Sequence, residues 1–270
     1  ILQSGRPKSD FAVLYRVNAQ SRVLEEALTG YGIPYTVIGS LKFYDRAEIK
    51  DVLAYLRLIV NPRDDVSFKR AISVPRRGIG DAAIAELSAA AEQAGLPLMT
   101  ACIRADSLPI SQRVKTKLKP FGELITHLCT QVLLCPLSEA VEELMEKSGY
   151  LQYLREEKRA DGRNEEREEN VRELINAIAE FEKSNPEDTL SAFLENVALV
   201  SNVNEETGRD AVTLLTIHSA KGLEFPVVFL VGMEEGIFPT SRAQYDADGL
   251  EEVRRLCYVA ITRAREKLWL

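Results

Sequence analysis

The chain has 270 residues, enough for about two domains that each bury a core. Its 34 Lys and Arg against 41 Asp and Glu leave a formal net charge of −7, with 28% charged and 46% hydrophobic residues. This profile excludes a disordered tail and a wholly basic nucleic-acid coat, so any phosphate-binding surface must be a local cluster of Lys and Arg on an acidic body. The longest mostly apolar run, Phe225–Met233, falls far short of the ~18 residues of a membrane span, and no leader pattern opens at Ile1. Four cysteines without C-x-x-C spacing, beside only two histidines, make no zinc pattern. No metal ligands are assigned, and reduced thiols in a cytoplasmic protein are expected. Starting at Ile1 without methionine and stopping inside the strand-like Lys267–Leu270, the sequence reads as part of something longer.

In chain order, Phe11–Tyr15 reads as a strand, Ser21–Leu28 as a helix ending at Gly30 and Gly32, and Tyr35–Ile38 as a second strand. Asp45 with Glu48 resembles a capping box, and Ile49, Val52, Leu53, Leu56 and Ile59 recur at helical spacing until Asn61 and Pro62 stop the helix. The strand signal then disappears. Asp81–Gln93, Ser111–Gln131, Leu137–Lys147, Glu165–Lys183 and Leu190–Leu199 read as helices, and the mixed-charge Arg155–Glu169 as a solvated helix end or mobile loop without chemistry. Strands return at Ala211–Ile217 and Pro226–Val231, near-continuous apolar runs of the kind buried on both faces of a parallel sheet. The helix Leu250–Thr262 and a terminal strand follow. Strand-bearing ends around a helical centre predict an α/β domain, residues 1–40 and 211–270, interrupted by a helical insertion, residues 41–210, because both ends can then share one sheet.

Three segments carry candidate chemistry. Thr216–Phe225 is a polar loop between two strand patterns, expected at the carboxyl ends of the strands, where open α/β sheets bind ligands. His218, Ser219 and Lys221 supply donors there and Gly222 permits close backbone approach, although a surface turn with incidental polar residues reads equally well. Glu251–Arg265 carries Arg254, Arg255, Arg263 and Arg265. Guanidinium suits phosphate, and ion pairs to Glu251 and Glu252 are the alternative for some of them. Val74–Asp81, with Lys69 and Arg70 upstream, contains Gly78, Ile79 and Gly80. Its amides and Arg76 and Arg77 could meet a phosphate, or it is a helix–helix turn capped by Asp81.

Together with Tyr15–Glu26 and Phe43–Asp51, these segments resemble the UvrD/PcrA/Rep group of superfamily 1 DNA helicases, and the resemblance extends over nearly the whole chain. Thr216–Phe225 is similar to that family's motif V, Glu252–Ala264 to motif VI, and the Tyr15 and Phe43 segments to motifs IVa and IVb. Val253 stands where an acidic residue is usual and Ala260 where glycine is, which implies tuning rather than loss. The resemblance implies a RecA-like motor domain (2A) split by a helical domain (2B). It places Glu224 at a nucleotide ribose and Arg263, as the catalytic residue, at the γ-phosphate. Arg16, Asn18, His218 and Lys221 would line a single-stranded DNA track, and Arg76, Arg77, Gly78, Ile79 and Gly80 would grip duplex at a junction. It also implies a cytoplasmic 3′-to-5′ helicase of DNA repair or replication, using ATP and Mg2+.

No G-x-x-x-x-G-K-[ST] occurs, since Lys221 and Gly222 stand in the wrong order. The partners that the resemblance implies are a missing N-terminal motor half (domains 1A and 1B) that holds the magnesium ligands, single-stranded DNA and single-strand/duplex junctions, and repair proteins. Alone, the chain is expected to be inactive as an ATP hydrolase. The rivals are the helicase portion of a RecB/AddA-type helicase-nuclease, which the short spacing from Thr216 to Arg263 disfavours, and a nucleotide-independent DNA-binding or protein-interaction module.

Overall fold

The structure is a computed structural model that describes residues 1–157, 164–202, 210–240, 243 and 247–270. The chain forms two compact units, residues 1–46 with 198–270, and residues 47–197.

The first unit is built on a five-stranded sheet of β1 (Phe11–Tyr15), β2 (Tyr35–Ile38), β3 (Val212–Thr216), β4 (Phe225–Leu230) and β5 (Ala264–Trp269), in the order β2-β3-β1-β4-β5. Every pairing is parallel, with Tyr15 opposite Thr216, Leu14 opposite Leu230 and Ile38 opposite Leu215. Thus strands from the two ends of the chain do share one sheet. Side chains alternate across it: Ala12, Leu14, Leu215, Val228 and Leu230 form one core with Leu256 and Ala260 of α11 (Ala247–Ile261), while Phe11, Val13, Tyr15, Tyr35 and Leu214 form the other with Leu28 of α1 (Ser21–Gly30). Cover on both faces is what a parallel sheet requires, and it explains why β1 is buried at every position.

The second unit is helical: α2 (Ala47–Val60), α3 (Asp65–Ser73), α4 (Asp81–Ala94), α5 (Leu98–Ile103), α6 (Gln112–Gln131), α7 (Leu137–Lys147), α8 (Tyr150–Glu156) and α9 (Asn164–Ser184); α10 (Leu190–Asn202) runs across the boundary at Val197/Ala198. Central α2 is apolar on most sides, and Tyr55 meets Phe121 of α6, which in turn takes Phe68 of α3 edge-on at 5.7 Å. No helix among the described residues is long and apolar enough to cross a membrane.

Three sequence expectations change here. Glu48 turns its carboxylate to Asn170 Nδ2 at 2.7 Å, with Arg167 Nε 3.5 Å away, and so belongs to a buried polar cluster at the α2–α9 contact. Gly80, not Asp81, is the N-cap of α4, with Asp81 in its first turn. The mixed-charge segment is only partly visible, residues 158–163 lying outside the described residues. Within it Arg167 is buried and donates to Glu157 at 2.5 Å, so it is not simply a solvated face. Helices α3, α5 and α8 were not legible in the sequence. Each is short, and α3 starts from Asp64, which accepts from the N–H groups of Val66 and Ser67.

Candidate nucleic-acid and nucleotide interfaces

The predicted site residues of the first unit fall into two groups at opposite edges of the sheet. Because β3 and β4 run parallel, the segment joining them must leave the carboxyl edge and return at the amino edge, so Thr216–Phe225 does not lie wholly at the carboxyl ends as expected. Ile217 and Ala220, both fully buried in the core beneath it, pin this crossover to the sheet. Its first half turns tightly, with Ala220 N–H on Thr216 O at 3.1 Å and Leu223 N–H on Ala220 O at 3.0 Å, and Gly222 takes a φ of +85° there.

At the carboxyl edge, Arg16 and Asn18 follow β1 while His218 and Lys221 follow β3, the adjacent strand. Gln20 Oε1 accepts from the N–H groups of Arg16 (2.9 Å) and Val17 (3.1 Å), which fixes the turn after β1. Arg16 Nε is buried with no hydrogen-bond partner among the described residues. His218 and Lys221 are exposed. Partial burial lowers the pKa of His218 and the neighbouring Arg16 charge lowers it further, against a weaker opposite pull from Glu252. Arg16 and His218 are therefore close enough to feel each other, with the Glu252 carboxylate also within reach of the ring. Glycine is required beside it: a Cβ on Gly39, at φ +83°, would collide with the Ser219 hydroxyl.

At the amino edge, Glu224 precedes β4 and Arg263 precedes β5. Arg263 donates from Nε to Val259 O at 3.0 Å and from its terminal nitrogens to Leu223 O at 3.0 Å and Thr262 Oγ1 at 2.9 Å, while Phe225 N–H returns to Arg263 O at 2.9 Å. Three of the five guanidinium N–H groups are thereby engaged among the described residues. Glu224 pairs with Arg265 Nε at 3.0 Å across the same edge. Arg254 and Arg255 both reach Glu251, at 2.9 and 3.6 Å, in the ion-pair role foreseen as the alternative. Ala260 is fully buried and Val253 packs against the same core, so both substitutions in this helix face the interior.

In the helical unit, the Gly78–Gly80 turn leads into α4, whose Ala83 and Ile84 N–H groups close on Gly80 O. Gly78, at φ +67°, Gly80, Arg76 and Lys69 are exposed. Arg77 and Ile79 are not presented with them. Ile79 is buried, and Arg77 points inward, donating to Tyr55 Oη (2.6 Å) and to the carbonyls of Pro75 (3.0 Å) and Ala71 (3.1 Å). Its guanidinium lies over Phe121 at 5.3 Å, and Lys117 of α6 donates to Gly78 O. The sequence contained Tyr55 and Phe121 but no sign that they would meet Arg77. Among the described residues no cluster of metal-ligating side chains is present.

The family model described as UvrD-like helicase C-terminal domain matches residues 1–270. The chain is similar to the ATP-dependent DNA helicase PcrA of Bacillus subtilis (strain 168), 43% identical over 272 residues covering 98% of this chain and 36% of that protein. PcrA of Staphylococcus epidermidis is 44% identical, with 99% of this chain and 37% of the relative covered. PcrA of Staphylococcus aureus (strain Mu50) is 43% identical with the same coverage, 99% and 37%. The chain thus spans a little over a third of the length of the curated relatives it matches.

Proposed function

The chain belongs to the UvrD-like helicase C-terminal domain family, and from that premise we propose that it is the C-terminal motor half of an ATP-dependent 3′-to-5′ DNA helicase acting in DNA repair or replication in the cytoplasm. In this reading the sheet-bearing unit is domain 2A and the helical unit domain 2B. The observation that carries the reading is the crossover from β3 to β4. One short segment, pinned by Ile217 and Ala220, begins among Arg16, Asn18, His218 and Lys221 at one sheet edge and ends beside Glu224 and Arg263 at the other.

The nucleotide-side donor set fits such a ligand. Among the described residues Arg263 retains two N–H groups and a permanent charge for a phosphate, and Glu224 offers carboxylate oxygens to ribose hydroxyls. ATP with Mg2+ supplies the phosphoryl-transfer chemistry, its magnesium ligands belonging to the N-terminal half. Arg263 stabilises charge on the equatorial oxygens of the transferring group. Because the same guanidinium holds Leu223 O, a change in its position displaces the end of the crossover, whose other end carries His218 and Lys221 on the DNA strand. Hydrolysis and DNA grip are thereby linked through a single backbone segment. In the helical unit, Arg76, Lys69 and the backbone of Gly78 and Gly80 meet duplex phosphates at a junction, with Arg77 and Ile79 holding the turn from beneath.

The test uses the full-length protein. Lys221→Ala should weaken single-stranded DNA binding while leaving DNA-independent nucleotide binding unchanged, and Arg263→Ala should abolish most turnover with a much smaller effect on single-stranded DNA binding. If Lys221→Ala and Arg16→Ala together leave DNA binding and DNA-stimulated hydrolysis intact, the two-edge reading fails.

A further inference from the structure

The turn that carries Arg16 and Asn18 is held from behind by two residues that have no place in the proposed contact set. Arg46, only 5% exposed, donates to Asn18 O at 3.0 Å, to Ser21 Oγ at 2.6 Å and, through Nε, to Leu41 O at 3.3 Å. Its guanidinium carbon lies over the Phe43 ring, 5.2 Å from the centroid. Beside it Glu25, also buried, accepts from Phe43 N–H at 3.1 Å and from Tyr35 Oη at 3.2 Å. Burial raises the pKa of that carboxyl, against the Ser21 hydrogen bond and the Arg46 charge, which favour its ionised form. From the other side Gln20 fixes the same turn through the N–H groups of Arg16 and Val17, and its amide lies so close to Gly232 that a Cβ there would collide with it.

We propose that Arg46 and Gln20 are positioning residues of the single-stranded DNA track: they preform the Arg16–Asn18 turn for a DNA strand without touching it. The inference rests on the track reading above. Arg46 is too buried to neutralise a phosphate, so its contribution is geometric. A planar fork that spans a carbonyl, a hydroxyl and a second carbonyl cannot be replaced by an ammonium, which keeps the charge beside Glu25 but has no fixed directions. An unheld turn must be ordered by the DNA itself, and that ordering lowers affinity.

The experiment compares Arg46→Lys, Gln20→Ala and Arg16→Ala in the 270-residue chain, with fluorescent oligo(dT) and a hairpin duplex as probes, across a salt series and with thermal midpoints recorded. Arg46→Lys should weaken oligo(dT) binding by roughly tenfold, the worth of one charge-assisted hydrogen bond, with an unchanged salt slope and unchanged duplex affinity. Gln20→Ala should act in the same direction, and it decides the matter if Arg46→Lys does not fold. Arg16→Ala should lower the slope by about 0.7, the value for one phosphate on a single strand. The inference is overturned if both positioning variants bind oligo(dT) within twofold of the parent. It is equally overturned if oligo(dT) and duplex affinities fall together. If Arg16→Ala alone has no effect on binding or slope, the track reading itself fails and this inference falls with it.

Discussion

Replacing Arg76 and Arg77 one at a time separates a phosphate contact from a support beam. Arg76 is exposed at the Gly78–Gly80 turn, and removing it should cost one phosphate contact: a decrease of about 0.9 in the slope of log affinity against log salt for duplex DNA, with little change in stability. Arg77 has its guanidinium on Tyr55 Oη, on the Ala71 and Pro75 carbonyls and over the Phe121 ring. Hydrogen bonds to a charged group contribute about 1.5–3 kcal/mol each and a partly desolvated cation–π contact about 1–2 kcal/mol, non-additively. Arg77→Ala should therefore destabilise the helical unit by roughly 2–4 kcal/mol, a fall of about 5–15 °C in its melting temperature. Arg77→Lys, tested below that melting point, should leave the salt slope as it is. Calorimetry gives the first quantity and anisotropy titrations in 50–300 mM salt, roughly the range over which such slopes are read, the second. An Arg77→Ala variant of unaltered stability whose slope falls as far as that of Arg76→Ala would refute the inward assignment.

Other outcomes follow from the same geometry. Asp81→Asn, which removes an exposed carboxylate from the first turn of α4 beside the proposed grip, should raise duplex affinity a few-fold in low-salt titrations. Tyr150→Phe deletes the hydroxyl that Asp51 accepts at 2.8 Å in the interior, and chemical denaturation should register a loss of about 1–2 kcal/mol. Hydrogen bonds from Arg155 depress the pKa of Glu168 to about 2, so the stability it contributes is present above the unfolded value of about 4.3 and is lost as pH falls through about 2. Glu168→Gln should flatten the acid limb of a pH–stability profile in that window. Removing the neighbouring positive charge by Arg16→Ala should raise the His218 pKa toward its ordinary value of about 6.5, visible in an NMR titration of the ring.

Local patterns in the sequence were enough to read the sheet. Phe11–Tyr15 and Tyr35–Ile38 appear with the bounds expected of them, since apolar runs between turn signals are set by neighbours in the chain. The helices of the insertion were legible where they are long, as at Leu137–Lys147. Three kinds of feature were not. The division of Thr216–Phe225 between two sheet edges depends on β1 lying between β3 and β4, a strand order that no local pattern encodes. Arg77 reads as a free cation until Tyr55 and Phe121, far from it in sequence, are brought beneath it. Glu48 reads as a helix cap until Asn170 approaches, because a carboxylate's partner is decided by burial rather than by spacing alone. Arg46 went unremarked for the same reason: its partners Asn18, Ser21 and Leu41 converge only once α1 packs against the sheet.

In the proposed function, the amino edge of the sheet stabilises a transferring phosphoryl group while the carboxyl edge holds DNA. This division is tested most directly by the rate of single-stranded-DNA-stimulated ATP hydrolysis in the full-length protein carrying Arg263→Ala and, separately, Arg263→Lys. An arginine in this role contributes on the order of 10³ to 10⁵ in turnover, so both variants should lose most of their hydrolysis, a far larger effect than any change in oligo(dT) affinity, while the loss of the hydrogen bonds to Val259 O, Leu223 O and Thr262 Oγ1 lowers the thermal midpoint of the alanine variant. The lysine variant fails because it keeps the charge but not the planar fork that reaches both Leu223 O and a phosphate. Turnover near the parent's in both variants, with only stability reduced, would contradict this reading and leave Arg263 as a brace between the crossover and β5.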